Sequence, residues 1–170
     1  MSSRFDRAEA YERLMWGLIT LIAAGCIAGI TVPAGLGWDF GNFYDAGRRV
    51  AAGQFADLYN PISQISGQPP QGSTGFFGTP LSALLYVPLA FFPARTALVL
   101  FKIQNVLAFA AVFILLLKFY RPFVSGTRLE FAQFNAIYAF LFLIFQPFWT
   151  IFRVGGQTTP TVLLLLSVLG

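Results

Sequence analysis

Long charge-free stretches alternate with short polar ones along this chain. No Asp, Glu, Lys or Arg lies between Arg13 and Asp39, between Asp57 and Arg95, or between Glu130 and Arg153. A helix needs roughly 20 apolar residues to cross about 30 Å of hydrocarbon. The runs 14–36, 97–120 and 131–152 each reach that length and predict transmembrane helices. The run 76–93 is apolar too, but Pro80, Pro88 and Pro93 interrupt it. It predicts a kinked span or a re-entrant element. After Arg153 the chain breaks at Gly155, Gly156 and Pro160, and an apolar run over 158–170 begins a further, incomplete span. A half-length helix cannot satisfy its backbone in lipid alone. The chain therefore reads as the front portion of a longer protein.

The polar segment 37–75 has a pattern of its own. Phe40, Phe43, Tyr44, Gly47, Val50 and Ala51 recur at helical spacing, with Asn42, Asp45, Arg48, Arg49 and Gln54 on the other face. This predicts an amphipathic helix over 40–53 lying in the membrane interface, closed by Gly53. Asp45 is placed to pair with Arg48 or Arg49 one turn on. The stretch from Asn60 to Pro80 is rich in Pro, Gly, Gln and Ser and reads as irregular loop. The fold class expected is all-α: one polytopic transmembrane bundle over 1–170, with an extracytoplasmic loop at 37–75 carrying the interfacial helix.

Composition supports the membrane reading. Hydrophobic residues make up 56% of the chain and charged ones 11%, against about 25% charged in ordinary soluble domains. The apolar run 14–36 exceeds the 7–15 residues of a signal-peptide core, so it reads as a retained first helix. Arg4, Arg7 and Arg13 precede it and place the N-terminus in the cytoplasm. The expected location is the inner (plasma) membrane, multi-pass. If 76–93 crosses fully, Lys118, Arg121 and Arg128 fall outside, against the positive-inside rule. If it is re-entrant they fall inside with the N-terminus, and the charge distribution favours that version.

Some chemistry is excluded. With no histidine and one cysteine, Cys26, the chain has no His ligand set, no Ser-His-Asp triad and no intrachain disulfide. No cofactor is expected; a metal is left open, with no ligand cluster to support one. The net charge of +4 comes from scattered basic residues that form no stripe, so nucleic acid is not an expected partner and anionic lipid is.

Asp39 is the leading candidate for chemistry. It stands where the first span ends and the interfacial helix begins, beside Trp38, an ordinary interface anchor. Its carboxylate would cap the helix or act as a general base on a sugar hydroxyl. Asp45 reads as an ion-pair partner and Asp57 as a turn residue. Arg48 and Arg49 would face lipid phosphate. Lys102, Gln104 and Asn105 interrupt an apolar helix, and polar groups at membrane depth mark function, although Lys102 is near enough to the helix start to snorkel outward. In Gly155-Gly156-Gln157, Gln157 carries one amide on a flexible break, either a hydroxyl or phosphate ligand or a plain turn.

In order along the chain, these residues resemble the N-terminal half of glycosyltransferase family 87, a group of polytopic GT-C enzymes. Four elements carry the resemblance. They are Asp39 after the first span; Tyr44, Ala46, Gly53, Leu58, Tyr59 and Pro61; Phe76 to Leu81 continuing to Pro88, Leu89 and Ala90; and Gly156-Gln157 before a Leu-rich run. Gly78-Thr79-Pro80 stands where the family usually has Tyr-Pro-Pro. The resemblance implies a GT-C-like N-terminal module. It would transfer a hexose, mannose by preference, from a polyprenyl-phosphate donor on the outer face, with inversion. Asp39 would be the base; Arg48, Arg49, Lys102, Gln157, Tyr44 and Tyr59 would line the substrate. The competing expectation is a non-catalytic transmembrane subunit of a larger membrane complex, built on the same scaffold.

Overall fold

The computed structural model describes residues 2–31, 38–60, 76, 78–124, 126–145 and 149–150. Among these residues the chain is all-helical, with no strand. Six α-helices follow in order: α1 (Ser2–Thr31), α2 (Trp38–Ala51), α3 (Pro80–Leu84), α4 (Val87–Ala90), α5 (Ala94–Tyr120) and α6 (Arg128–Ile144), with short 3-10 turns at Phe55–Asp57 and Arg121–Phe123. They belong to two compact units. One holds α1, α5 from Val106 onward, and α6; the other holds α2, α3, α4 and α5 up to Asn105.

Two stretches are long and apolar enough to cross a membrane, Asp6–Thr31 and Ala94–Phe123. They associate the chain with a membrane. Large apolar side chains on more than one side of α1, such as Trp16, Leu21 and Ile27, are exposed, and exposure of that kind suits hydrocarbon better than water. The threonine hydroxyls Thr20 and Thr31 on α1 are satisfied locally. Thr20 donates to the Trp16 carbonyl at 2.8 Å and Thr31 to the Ile27 carbonyl at 2.9 Å, which removes the penalty of a free donor in an apolar medium.

In the first unit α1 packs along α6. Arg128, at the start of α6, donates from Nε and Nη2 to the two carboxylate oxygens of Glu12, at 3.1 and 3.2 Å. The start of α6 is fixed by a capping box: Thr127 accepts from the Glu130 N–H, and the Glu130 side chain accepts from the Thr127 N–H. Phe109 and Phe113 of α5 pack on Phe142 at ring separations of 4.9 and 4.8 Å. The Tyr138 hydroxyl donates to the Phe113 carbonyl at 3.1 Å. Trp149 lies over Gly25, where a Cβ would come within 2.7 Å of the ring. The described part of α6 has 17 residues, about 25 Å of helix, at the lower limit for a crossing. α6 ends at Ile144 with Phe145 as its C-cap, short of the expected 152; residues 146–148 and 151–152, and the expected span 158–170, lie outside the described residues.

The segment 76–93 does not form one kinked span. Thr79 caps α3 by accepting from the Ser82 N–H, with Pro80 at the first helical position. α3 ends after five residues, and α4, four residues long with Pro88 near its start, follows. A helix of five residues extends about 8 Å, so neither piece crosses a bilayer. The physical reason is Pro88, which has no N–H to give and clashes with the carbonyl four residues back.

In the second unit α2 is the centre. Ala46, Val50, Leu58, Phe76 and Ala83 form its apolar core with Phe43 and Val87. Phe40 is fully buried, stacked on Tyr44 and packed on Phe101 of α5 at 5.4 Å. Gly47 faces the backbone of Tyr86, between α3 and α4, and a Cβ there would lie 2.8 Å from the Tyr86 carbonyl carbon. Only glycine permits that approach. α2 closes with a Schellman turn: Gln54 N–H donates to the Arg49 carbonyl, Gly53 N–H to the Val50 carbonyl, and Gly53 takes φ +72°.

The amphipathic pattern expected over 40–53 therefore forms as a helix over 38–51, but its polar face is not solvated. Asn42, Asp45 and Arg49 are all buried; Arg48 is exposed.

Candidate functional site

The polar stripe of α2 and the turn after it enclose an open hollow. Asp45, Arg48, Arg49, Ala52, Gln54, Asp57 and Asn60 line it, and its volume is about 380 Å³. Residues 45, 48, 49 and 52 come together because they recur three or four apart on one helix face. Residues 54, 57 and 60 arrive because the Schellman turn reverses the chain and the 3-10 turn at Phe55–Asp57 brings it back past the helix end.

The floor of the hollow is a buried ion pair. Arg49 Nη2 meets Asp45 Oδ2 at 2.8 Å, one helical turn apart, and both side chains are under one-tenth exposed. Arg49 Nη1 also donates to the carbonyls of Asp57 and of Asn60, the latter at 3.0 Å. A guanidinium removed from water needs such partners on several of its donors. Arg49 is thus a strut that ties the turn to α2, and its donors are engaged by the protein. At the rim, Asn60 Nδ2 donates to Asp57 Oδ1 at 2.8 Å. Arg48 is exposed, and its guanidinium forms no ion pair among the described residues.

The other expected site residues sort in the same way. Tyr44 is buried and its hydroxyl donates to the Phe92 carbonyl at 2.7 Å. This bond holds α2 to the turn before α5 and leaves Tyr44 without a face for substrate. Tyr59 is exposed, with its ring stacked against Phe76 at 5.9 Å. Asp39 lies in the first turn of α2, nine residues before Arg48, or about 13 Å along the axis; its side chain lies outside the described atoms. Gln157 lies outside the described residues.

Lys102 does not snorkel. It is 2% exposed on α5, and Asn105, one turn on, is fully buried and donates to the Phe101 carbonyl at 2.9 Å. Phe101, whose ring packs on Phe40, directly precedes Lys102 in sequence and Phe40 directly follows Asp39. Arg48 stands at the far end of α2 from Asp39. The side-chain oxygens of Asn42 and Asn105 are buried with no hydrogen-bond partner. Sequence reasoning passed over Asn42 as part of a solvated face. A paired amide signal exists in the sequence, but periodicity does not reveal which amides lose their water.

Among the described residues no group of three or more His, Cys, Asp or Glu side chains could hold a metal ion. Chemically, the hollow offers two charges of each sign and two amides, with the Asp45–Arg49 pair neutralised internally. Lys102 is a buried ammonium on α5, a helix apolar enough to cross a bilayer. No family model, curated protein or solved structure matches this chain.

Proposed function

We propose that this chain is a membrane glycosyltransferase of GT-C type, or the N-terminal part of one, transferring a hexose from a polyprenyl-phosphate donor to an acceptor hydroxyl. The observation that carries the reading is the packing of Phe40 on Phe101, 5.4 Å between ring centres. Phe40 directly follows Asp39 and Phe101 directly precedes Lys102, so this ring contact joins the two helices that carry the proposed base and the proposed cation. In this reading the buried Lys102 ammonium, a polar group on an apolar helix, serves the leaving phosphate of the donor.

In this mechanism the Asp39 carboxylate takes the proton of the acceptor hydroxyl. The acceptor oxygen attacks the anomeric carbon as the bond from that carbon to the phosphate oxygen breaks, with inversion. The phosphate departs as a stable anion, so no general acid is required, and Lys102 stabilises its charge. Arg49 is engaged elsewhere and Arg48 stands about 13 Å away along α2, so neither serves this step. The resemblance supports mannose as the sugar and the outer membrane face as the location; the multi-pass arrangement and the cytoplasmic N-terminus belong to the same proposal.

The test is hexosyl transfer in membranes supplied with polyprenyl-phosphate mannose. Asp39→Asn lowers turnover by about 10²-fold or more, and Lys102→Gln lowers it as well. Full transfer by Asp39→Asn removes the base and with it the enzyme reading.

One observation favours a second reading, the non-catalytic subunit. Asp45, Arg49 and Tyr44, polar groups that a substrate site would use, hold the fold together instead. Purification of this chain always at fixed stoichiometry with other membrane proteins, and without transfer activity, would decide for that reading.

A further inference from the structure

The hollow at the C-terminal end of α2 has no part in the transfer step, and its charges are arranged unusually. Arg48 and Asp57 both line it, both are exposed, and they form no ion pair with each other. Asp45 and Arg49 beneath them cancel. Two opposite charges that line one open hollow without forming an ion pair with each other attract neither an anion nor a cation well, since either also meets its own sign there. A ligand carrying both signs satisfies the two charges together.

We propose that this hollow binds a phosphate–ammonium zwitterion, with Arg48 on the phosphate and Asp57 on the ammonium. A guanidinium is the side chain suited to phosphate, because its planar donors match two phosphate oxygens at once. Asp57 Oδ1 is engaged by Asn60, and Oδ2 carries no bond among the described residues, so the ammonium is received there. Gln54 and Asn60 supply amides for the phosphate's remaining oxygens and for any hydroxyl on the linker. The volume of about 380 Å³ admits a headgroup of this kind. Phe55 and Tyr59, on the turn that forms the rim, are 63% and 54% exposed. Aromatic side chains presented in this way anchor a protein at the headgroup level of a bilayer. They point to a zwitterionic phospholipid as the source rather than a free metabolite. This site stands whether or not the chain transfers a sugar.

The experiment uses the full chain in mild detergent. Phosphatidylethanolamine, phosphatidylglycerol and a neutral diacylglycerol glucoside are titrated separately, and bound lipid is read by native mass spectrometry. Phosphatidylethanolamine binds tightest. Arg48→Gln and Asp57→Asn each weaken it about fivefold or more, while Asp57→Asn tightens phosphatidylglycerol. Soluble phosphoethanolamine added in competition identifies the source. Displacement shows that the headgroup alone is held; retention of the lipid shows that the acyl chains contribute; the zwitterion is the ligand in both. Helicity by circular dichroism accompanies every variant. Asp57→Glu, which keeps the carboxylate, retains the preference. The proposal is overturned if Asp57→Asn leaves phosphatidylethanolamine binding unchanged or tighter, if Asp57→Glu fails as Asn does, or if the glucoside binds tightest.

Discussion

Replacing Gly47 by alanine sets two effects of known size against each other. Alanine is favoured over glycine in a helix interior by about 1 kcal/mol, so local propensity predicts a gain. The surroundings oppose it. A Cβ at position 47 would lie 2.8 Å from the Tyr86 carbonyl carbon and 2.9 Å from its Cβ and its carbonyl oxygen. Ordinary carbon contacts lie at about 3.5–4.0 Å, so α2 and the Tyr86 backbone must separate by roughly 0.7 Å or more. None of the three atoms can rotate away. Tyr86 is itself locked, 1% exposed and stacked between Phe43 at 5.0 Å and Phe101 at 5.4 Å. Overpacking of a tight core costs about 1–3 kcal/mol, and a backbone contact belongs in the upper half of that range. The net loss is then about 1–2 kcal/mol. The internal control is Gly17→Ala on α1, where a Cβ meets nothing within 4 Å and only the propensity gain remains. Unfolding in mixed micelles of mild detergent and dodecyl sulfate, followed by circular dichroism, should show the two alanine variants shifted in opposite directions, about 2–3 kcal/mol apart. A Gly47→Ala protein as stable as the parent, with Gly17→Ala behaving as expected, would refute the close packing of α2 on Tyr86.

Three further outcomes follow from the same geometry. Arg49→Met leaves Asp45 buried without its ion-pair partner and should destabilise by about 3 kcal/mol in the same unfolding assay, while adding Asp45→Leu recovers part of the loss; equal and additive effects would contradict the pair. Thr127→Ala removes the capping box of α6 and should cost about 1 kcal/mol, visible as faster hydrogen exchange in the first turn of α6. Glu12→Gln breaks the exposed contact with Arg128, and its small shift in unfolding midpoint should vanish in high salt, because exposed ion pairs are screened.

The helical segments were legible from the chain because an apolar run and a gap in charge are properties of the sequence itself. The helix at 38–51 was expected over 40–53, and its Gly53 terminus followed from glycine's freedom at positive φ. The environment of that helix was not legible. Asn42, Asp45 and Arg49 share a face in any helical reading, but spacing says which residues are neighbours and not what covers them. The burial of that face depends on Arg49 reaching the carbonyls of Asp57 and Asn60, and on a turn whose path no periodicity describes. Asp45 had two partners within reach, and the structure pairs it with Arg49, four residues on, the spacing that sets the side chains one above the other. The capping box at Thr127 and Glu130 was readable as Thr-x-x-Glu before an apolar run and was passed over.

By itself, then, the sequence determined that this is a helical chain with stretches apolar enough for a membrane, and that His-dependent chemistry is absent from it. Both statements depend only on composition and order. The tertiary structure alone decided which polar side chains remain available: Arg48 rather than Arg49, Tyr59 rather than Tyr44, and Lys102 buried rather than turned outward. It also divided the apolar stretch after Thr79 into the two short helices α3 and α4 and made a side chain at position 47 costly. Each of those outcomes depends on what lies across from a residue in space, and a hydrogen bond or a contact at 2.8 Å joins positions whose separation along the chain carries no trace of it.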